Sequence, residues 1–215
     1  MIDGFFRYAE PLAVIIAALA AIYGIGAWRR ETRGKRRMEL AEEALAMFYR
    51  AGDAIGNIRS PLGFASEGSS RPADPGETPQ EKEMRDRAYI HVERCLRYSD
   101  LFDSLRAKRY QFMACFGKKA QKPFDDMWMI RNRILVAARQ GARARQDMKR
   151  EGLTPESRQA IIKSIEKCER VVWQEGENDP IDREVEQIIA AMEAICIPVL
   201  NPPKWWWHFV RKETP

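Results

Sequence analysis

Residues 12 to 28 read LAVIIAALAAIYGIGAW, seventeen consecutive residues without a charge. At ~1.5 Å rise per residue, a helix over this run is about 26 Å long, close to the ~30 Å hydrocarbon core of a bilayer. Phe5, Phe6 and Tyr8 before it and Trp28 at its end are the residue types that favour the two interfaces. The positive charge follows the run instead of preceding it, which argues against a cleaved signal peptide. The run predicts an N-terminal transmembrane helix, with residues 1–28 forming a short outward N-terminus and the span. Ala13, Ala17, Ala21 and Gly24 recur along one side, a spacing that permits close helix contact and self-association into a homo-oligomer.

The next nine residues, RRETRGKRR, place Arg29, Arg30, Arg33, Lys35, Arg36 and Arg37 against Glu31 alone. Residues 1–28 carry a net −1 and everything from Met38 onward a net +1, so the overall +5 resides in this segment 29–37. A collar of this kind resists translocation. It predicts a cytoplasmic C-terminal side, an outward N-terminus and a bilayer with an anionic inner leaflet as partner. The nearly neutral remainder lacks the charge of a nucleic-acid surface, so no nucleic acid is expected.

Hydrophobic residues make up 45% of the 215 and charged residues 31%, a balance that folds. From Met38 the apolar positions Ala41, Leu45, Phe48, Ile55 and Ile58 step by three and four, predicting a helix that runs out of the membrane to about Arg59, with Gly34 as the place for a bend. Residues 60–79 are rich in proline, glycine and serine and read as a long flexible loop, with Leu62 and Phe64 able to tuck inward. Thr78, Pro79 and Glu81 open the next helix as a capping box, and Gly117 stops it. Its length of about 37 residues calls for a kink or break. Further helices begin at Pro123, Pro155 and Pro180, and no alternating strand pattern occurs. The fold class expected is all-α: one N-terminal transmembrane helix, then a cytoplasmic antiparallel bundle of about four helices over 38–200. Residues 201–215 form a separate tail in which Trp205, Trp206 and Trp207, flanked by Lys204, Arg211 and Lys212, suit either a membrane surface or the end of the bundle.

Chemistry is sparse. Cys95, Cys115, Cys168 and Cys196 have no short spacing and read as reduced, mostly buried thiols. His91 and Cys95 share a helix face without a second pair to complete a metal set. Glu175, Glu177 and Asp179 lack a calcium-loop pattern, and Asp179 is better read as a helix cap. Gly68 to Arg71 is linker-like more than phosphate-cradling, and Arg139, Arg143, Arg145 and Arg150 form a solvated face more readily than a nucleic-acid stripe. No catalytic, cofactor-binding or metal-binding constellation is expected, and the chain is not read as an enzyme.

The runs KRRMELAEEALAMFYRAGDAIGNIRSPLGF (35–64) and RYQFMACFGKKAQKPFDD (109–126) resemble a group of small bacterial single-pass membrane proteins without an assigned activity. The resemblance implies a bacterial inner-membrane setting and carries no site residues. The function expected is a membrane-anchored interaction or scaffold module at the cytoplasmic face, binding itself or an unidentified protein partner. An oligomeric, channel-like effector and an enzyme with an unrecognised site are the competing readings. The membrane-surface residues expected are the collar Arg29, Arg30, Arg33, Lys35, Arg36 and Arg37 together with Trp205, Trp206 and Trp207.

Overall fold

The computed structural model describes the backbone of residues 2–63, 66–176 and 178–202, with side chains from Ala17 onward within those ranges. Six α-helices follow in order: α1 (Ile2–Arg59), α2 (Pro79–Arg97), α3 (Ser99–Phe116), α4 (Lys122–Asp147), α5 (Pro155–Val172) and α6 (Pro180–Leu200). One 3-10 turn, Lys118–Gln121, joins α3 to α4, and no strand occurs among the described residues.

Local chemistry sets most of the boundaries. Thr78 caps α2: its hydroxyl accepts from the Glu81 N–H, while the Glu81 carboxylate accepts from the Thr78 N–H at 3.0 Å. Thr154 and Asp179 cap α5 and α6, each followed by a proline at the first helical position, where a missing N–H costs nothing. The long helix expected over 79–116 breaks at Tyr98, whose φ/ψ of −99°/10° leave the helical basin; the Ser99 hydroxyl takes up the Leu96 carbonyl at 2.7 Å. Gly117 ends α3 at φ +87°, a conformation glycine adopts without Cβ strain. Helical structure in α1 continues unbroken through Gly34.

Burial divides α1 in two. From Ala17 to Glu39 its described side chains are exposed or only half-buried, and the core begins at Leu40 and Ala41. From there Ala44, Phe48, Ala51, Ile55 and Ile58 form the inner stripe, at the helical spacing expected. α6 runs antiparallel to it, as Tyr49 donates to Glu193 at 2.7 Å near one end and Arg59 meets Asp179 at the other. The two helices approach closely at Gly52, where a Cβ would lie 2.9 Å from Ile189 Cδ1 and that side chain would have to shift. The centre is aromatic. Phe48 meets Phe124 edge-on at 4.9 Å, and Phe112 stacks on Phe116 at 4.2 Å. A helical bundle is present, as the periodicity indicated, but among the described residues it is built from six helices, not about four.

The expectation of an N-terminal transmembrane helix is corrected. Among the described residues, no helix is long and apolar enough to cross a membrane. Arg29 opens a charged segment directly after the uncharged run, so α1 carries Arg29, Arg30, Glu31, Arg33, Lys35, Arg36 and Arg37 immediately beyond Trp28. The side chains of Leu12–Ile16, Ala13 among them, lie outside the described set, so the packing role expected of Ala13 does too. Ala17, Ala21 and Gly24 lie on the exposed part of α1, and a Cβ on Gly24 would meet nothing within 4 Å.

Candidate functional site

Three regions concentrate polar or open apolar surface. The first is the end of α1 and its surroundings. His91 and Arg94 of α2 converge on the C-terminal turn of α1, where carbonyls lack helical partners, and Arg59, the last residue of α1, reaches across to the end of α5 and the start of α6. Arg59, fully buried, grips both carboxylate oxygens of Asp179 at 2.7 Å, reaches Asp182 at 2.8 Å, and donates to the carbonyls of Val171 and Trp173. Arg94 donates to the carbonyls of Ser60 and Leu62, each at 2.7 Å, and to Glu67 at 2.6 Å. His91 Nδ1 donates to the Ile58 carbonyl at 2.9 Å, which fixes the tautomer and leaves Nε2 an acceptor without a protein partner, beside Trp173 at 4.2 Å.

The electrostatics follow. Burial pushes the His91 pKa down to about 4; the bond to Ile58 opposes the shift, Arg94 and Arg145 reinforce it, and Glu67 opposes it. Burial alone would raise the Asp179 carboxyl, yet hydrogen bonds from Arg59 and from the Glu175 and Asp182 N–H groups outweigh it and hold the group well below the usual carboxylate range. These networks knit α1, α2, α5 and α6 together. Every strong donor in them is spent on the protein itself.

The same accounting disposes of the minor sequence candidates. Cys95 is fully buried, its thiol pushed up to about 11 by burial, and His91 beside it is committed to Ile58. Among the described residues no group of three or more His, Cys, Asp or Glu side chains is placed to hold a metal. Asp179 is consumed by Arg59 and the helix cap, and Glu177 lies outside the described residues. The Gly68 and Ser70 N–H groups both point at Glu93, and Arg71 is paired with Glu77 and Asp86, so these donors are already engaged within the protein. Arg145 pairs with Glu169 at 2.6 Å and Arg150 with Asp147 at 3.0 Å, while Arg139 and Arg143 are exposed, with no ion pair among the described residues.

The second region is the opposite end of the bundle, where the collar enters. Arg29, Arg30, Arg33, Lys35, Arg36 and Arg37 are all exposed; Lys35 pairs with Glu31 at 2.8 Å and Arg36 with Glu39 at 3.5 Å, both pairs in full contact with solvent. Arg37 lies over the Phe116 ring at 5.0 Å. Phe116 is followed by Gly117 and the 3-10 turn, so Lys118, Lys119 and Lys122, all exposed, extend from the level at which the collar meets the bundle. Ala120 anchors that turn in the core. Because α6 is antiparallel to α1, the chain beyond Pro202 also departs from this end. Trp205, Trp206 and Trp207 themselves lie outside the described residues. Three lysines within one turn carry no local signal; folding alone sets them at the end of the bundle where the distant basic segment enters.

The third region is an open groove of about 1120 Å³ along α4, α5 and α6, floored by Ile130, Ala137, Val171 and Ile188. Met129 and Val136 on its α4 wall are 59% and 50% exposed, more than side chains of that size show in a closed core. A single ion pair between α4 and α6, Arg133 to Glu184 at 2.9 Å, crosses its rim.

No protein-family model, curated protein or solved structure matches this chain.

Proposed function

We propose that the protein is a helical interaction module that docks by its collar end on an anionic lipid surface. The observation that carries this is the juxtaposition of the exposed residues Arg29 to Arg37 with Lys118, Lys119 and Lys122 at one end of the bundle. Like charges gathered at one place raise the free energy of the isolated molecule, and a surface of phosphate headgroups relieves it. The apolar side chains of Leu19, Ile22 and Trp28, each more than 60% exposed, add a component that salt does not screen. Contact with headgroups is all that the proposal requires. It assigns no reaction to the protein, and it leaves the lateral faces of the bundle for partners.

The test is co-sedimentation of the full chain with vesicles of neutral phosphatidylcholine and with vesicles containing anionic phosphatidylglycerol. Retention on anionic vesicles, falling as salt rises, is expected. Each lysine near the surface contributes roughly 1 kcal/mol, so the exposed double change Lys118→Gln/Lys119→Gln is expected to weaken binding at least tenfold. Equal retention on neutral and anionic vesicles, or an unchanged affinity of the double variant, would overturn the proposal.

A further inference from the structure

The groove along α4, α5 and α6 presents more apolar surface than a finished bundle leaves open, and it is spent on none of the contacts described above. Its position is informative. Ile195 of α6 lines it at the same end as Lys122 and Pro123 of α4, and α6 finishes only five residues later, at Leu200. The chain that continues from Pro202 thus leaves the bundle beside the mouth of the groove. That continuation is PKWWWHFVRKETP, residues 203–215, in which Trp205, Trp206, Trp207, Phe209 and Val210 form an aromatic-rich apolar cluster.

We propose that the groove is the docking site of this chain's own C-terminal segment, with the aromatic residues 205–210 lying along α4. Dimensions agree. The α4 wall from Lys122 to Gln140 is about 27 Å long. From Pro202, nine extended residues reach about 30 Å, which brings Arg211 to the far rim. The intervening indoles match the floor of isoleucine, valine and alanine, whereas the cations Lys204 and Arg211 fall at the two ends, outside it. Charge does not select this occupant, since the groove rim carries Lys119, Lys122, Arg133 and Lys167 against Asp126 and Glu184. Connectivity does. A tether of a few residues supplies the segment at an effective concentration in the millimolar range, so modest apolar complementarity suffices to keep it seated and an external helix must compete against it. The groove is then a surface that the protein's own C-terminal segment covers. This inference does not depend on lipid docking.

The experiment uses the full chain in vesicle-free solution, in a Cys115→Ser background because the three other native cysteines are buried. Trp206→Cys is combined with Met129→Cys in the groove, which the extended layout places opposite residue 206, or with Tyr110→Cys on α3, which is 62% exposed and outside the groove, as comparator. Mild oxidation is expected to join the first pair within one molecule and to leave the second largely open. In the single Trp206→Cys variant, alkylation of the introduced thiol is expected to accelerate about tenfold or more when Met129→Glu and Val136→Glu are added; both sites are exposed, so folding is retained. Equal crosslinking of the two pairs, crosslinking only between molecules, or an alkylation rate indifferent to the groove changes would each overturn the proposal. Slow alkylation that requires anionic vesicles would assign the tail to lipid instead.

Discussion

Arg59 shows how one side chain organises the end of the molecule remote from the collar. It is completely buried, and its guanidinium is satisfied by Asp179, Asp182 and carbonyls of the α5 end. Such a pair contributes little net stability relative to an apolar replacement of both partners, but removing one partner strands the other. Arg59→Ala is therefore expected to cost about 3 kcal/mol or more in urea unfolding, with part of the loss recovered by Arg59→Met/Asp179→Asn; a single-variant loss under about 1 kcal/mol would contradict the geometry. His91 makes a pH-dependent contribution. Folded, its pKa is about 4 against 6.5 when free, so between those values the unfolded chain holds a proton that the folded chain refuses. Stability is complete above pH 6.5 and falls as the pH drops toward 4, by up to about 3 kcal/mol. Unfolding free energies measured at pH 7.5 and 4.5 are expected to differ accordingly, and His91→Gln is expected to flatten the difference. Asp179, depressed below the ordinary carboxylate range, adds its own loss only at still lower pH.

At the scale of elements, the α1–α2 connection shows what sequence composition conceals. Its prolines, glycines and serines read as a linker, yet it packs along α2: Gly68 and Ser70 donate to Glu93, Arg71 pairs with Glu77 and Asp86, and Glu67 holds Arg94. Gly68 makes this docking feasible. Its φ is +86°, and a Cβ there would stand 1.9 Å from the Asp86 carbonyl oxygen. Gly68→Ala is expected to cost about 2 kcal/mol or more and to hasten proteolysis within residues 66–76, while Gly76→Ala, also at positive φ but with open space around it, is expected to cost less. Equal effects at the two glycines would show that the close approach is unimportant. The start of α2 is more conventional: Thr78→Ala removes one side of its capping box and is expected to cost about 1 kcal/mol, read in thermal unfolding.

For the whole molecule, the organising feature is the change in α1 at Leu40, where an exposed arm becomes the central helix of the bundle. Among the described side chains of the arm, Arg37 meets the bundle over Phe116, a contact worth on the order of 1 kcal/mol. A chain starting at Met38 is therefore expected to melt within a few degrees of the full protein while losing most of its affinity for anionic vesicles, since it retains the lysine turn but not the collar. A drop in melting temperature beyond about 10 °C would show that the arm is structural.

Read from sequence alone, helix starts were determined reliably because they depend on chemistry within one turn. Thr78 with Glu81, Thr154 before Pro155 and Asp179 before Pro180 cap their helices wherever the rest of the chain lies. The inner stripe from Ala41 to Ile58 was equally legible, because burial follows the 3.6-residue period. Hydropathy over Leu12–Trp28 did not translate into a span: among the described residues no helix is long and apolar enough to cross a membrane, because the uncharged run passes directly into the charged segment from Arg29. The fates of Arg59, the lysine turn beside the collar and the groove between α4 and α6 were decided only by tertiary structure. Each depends on residues far apart in the chain, and no local pattern encodes which helix ends meet or how much apolar surface their packing leaves open.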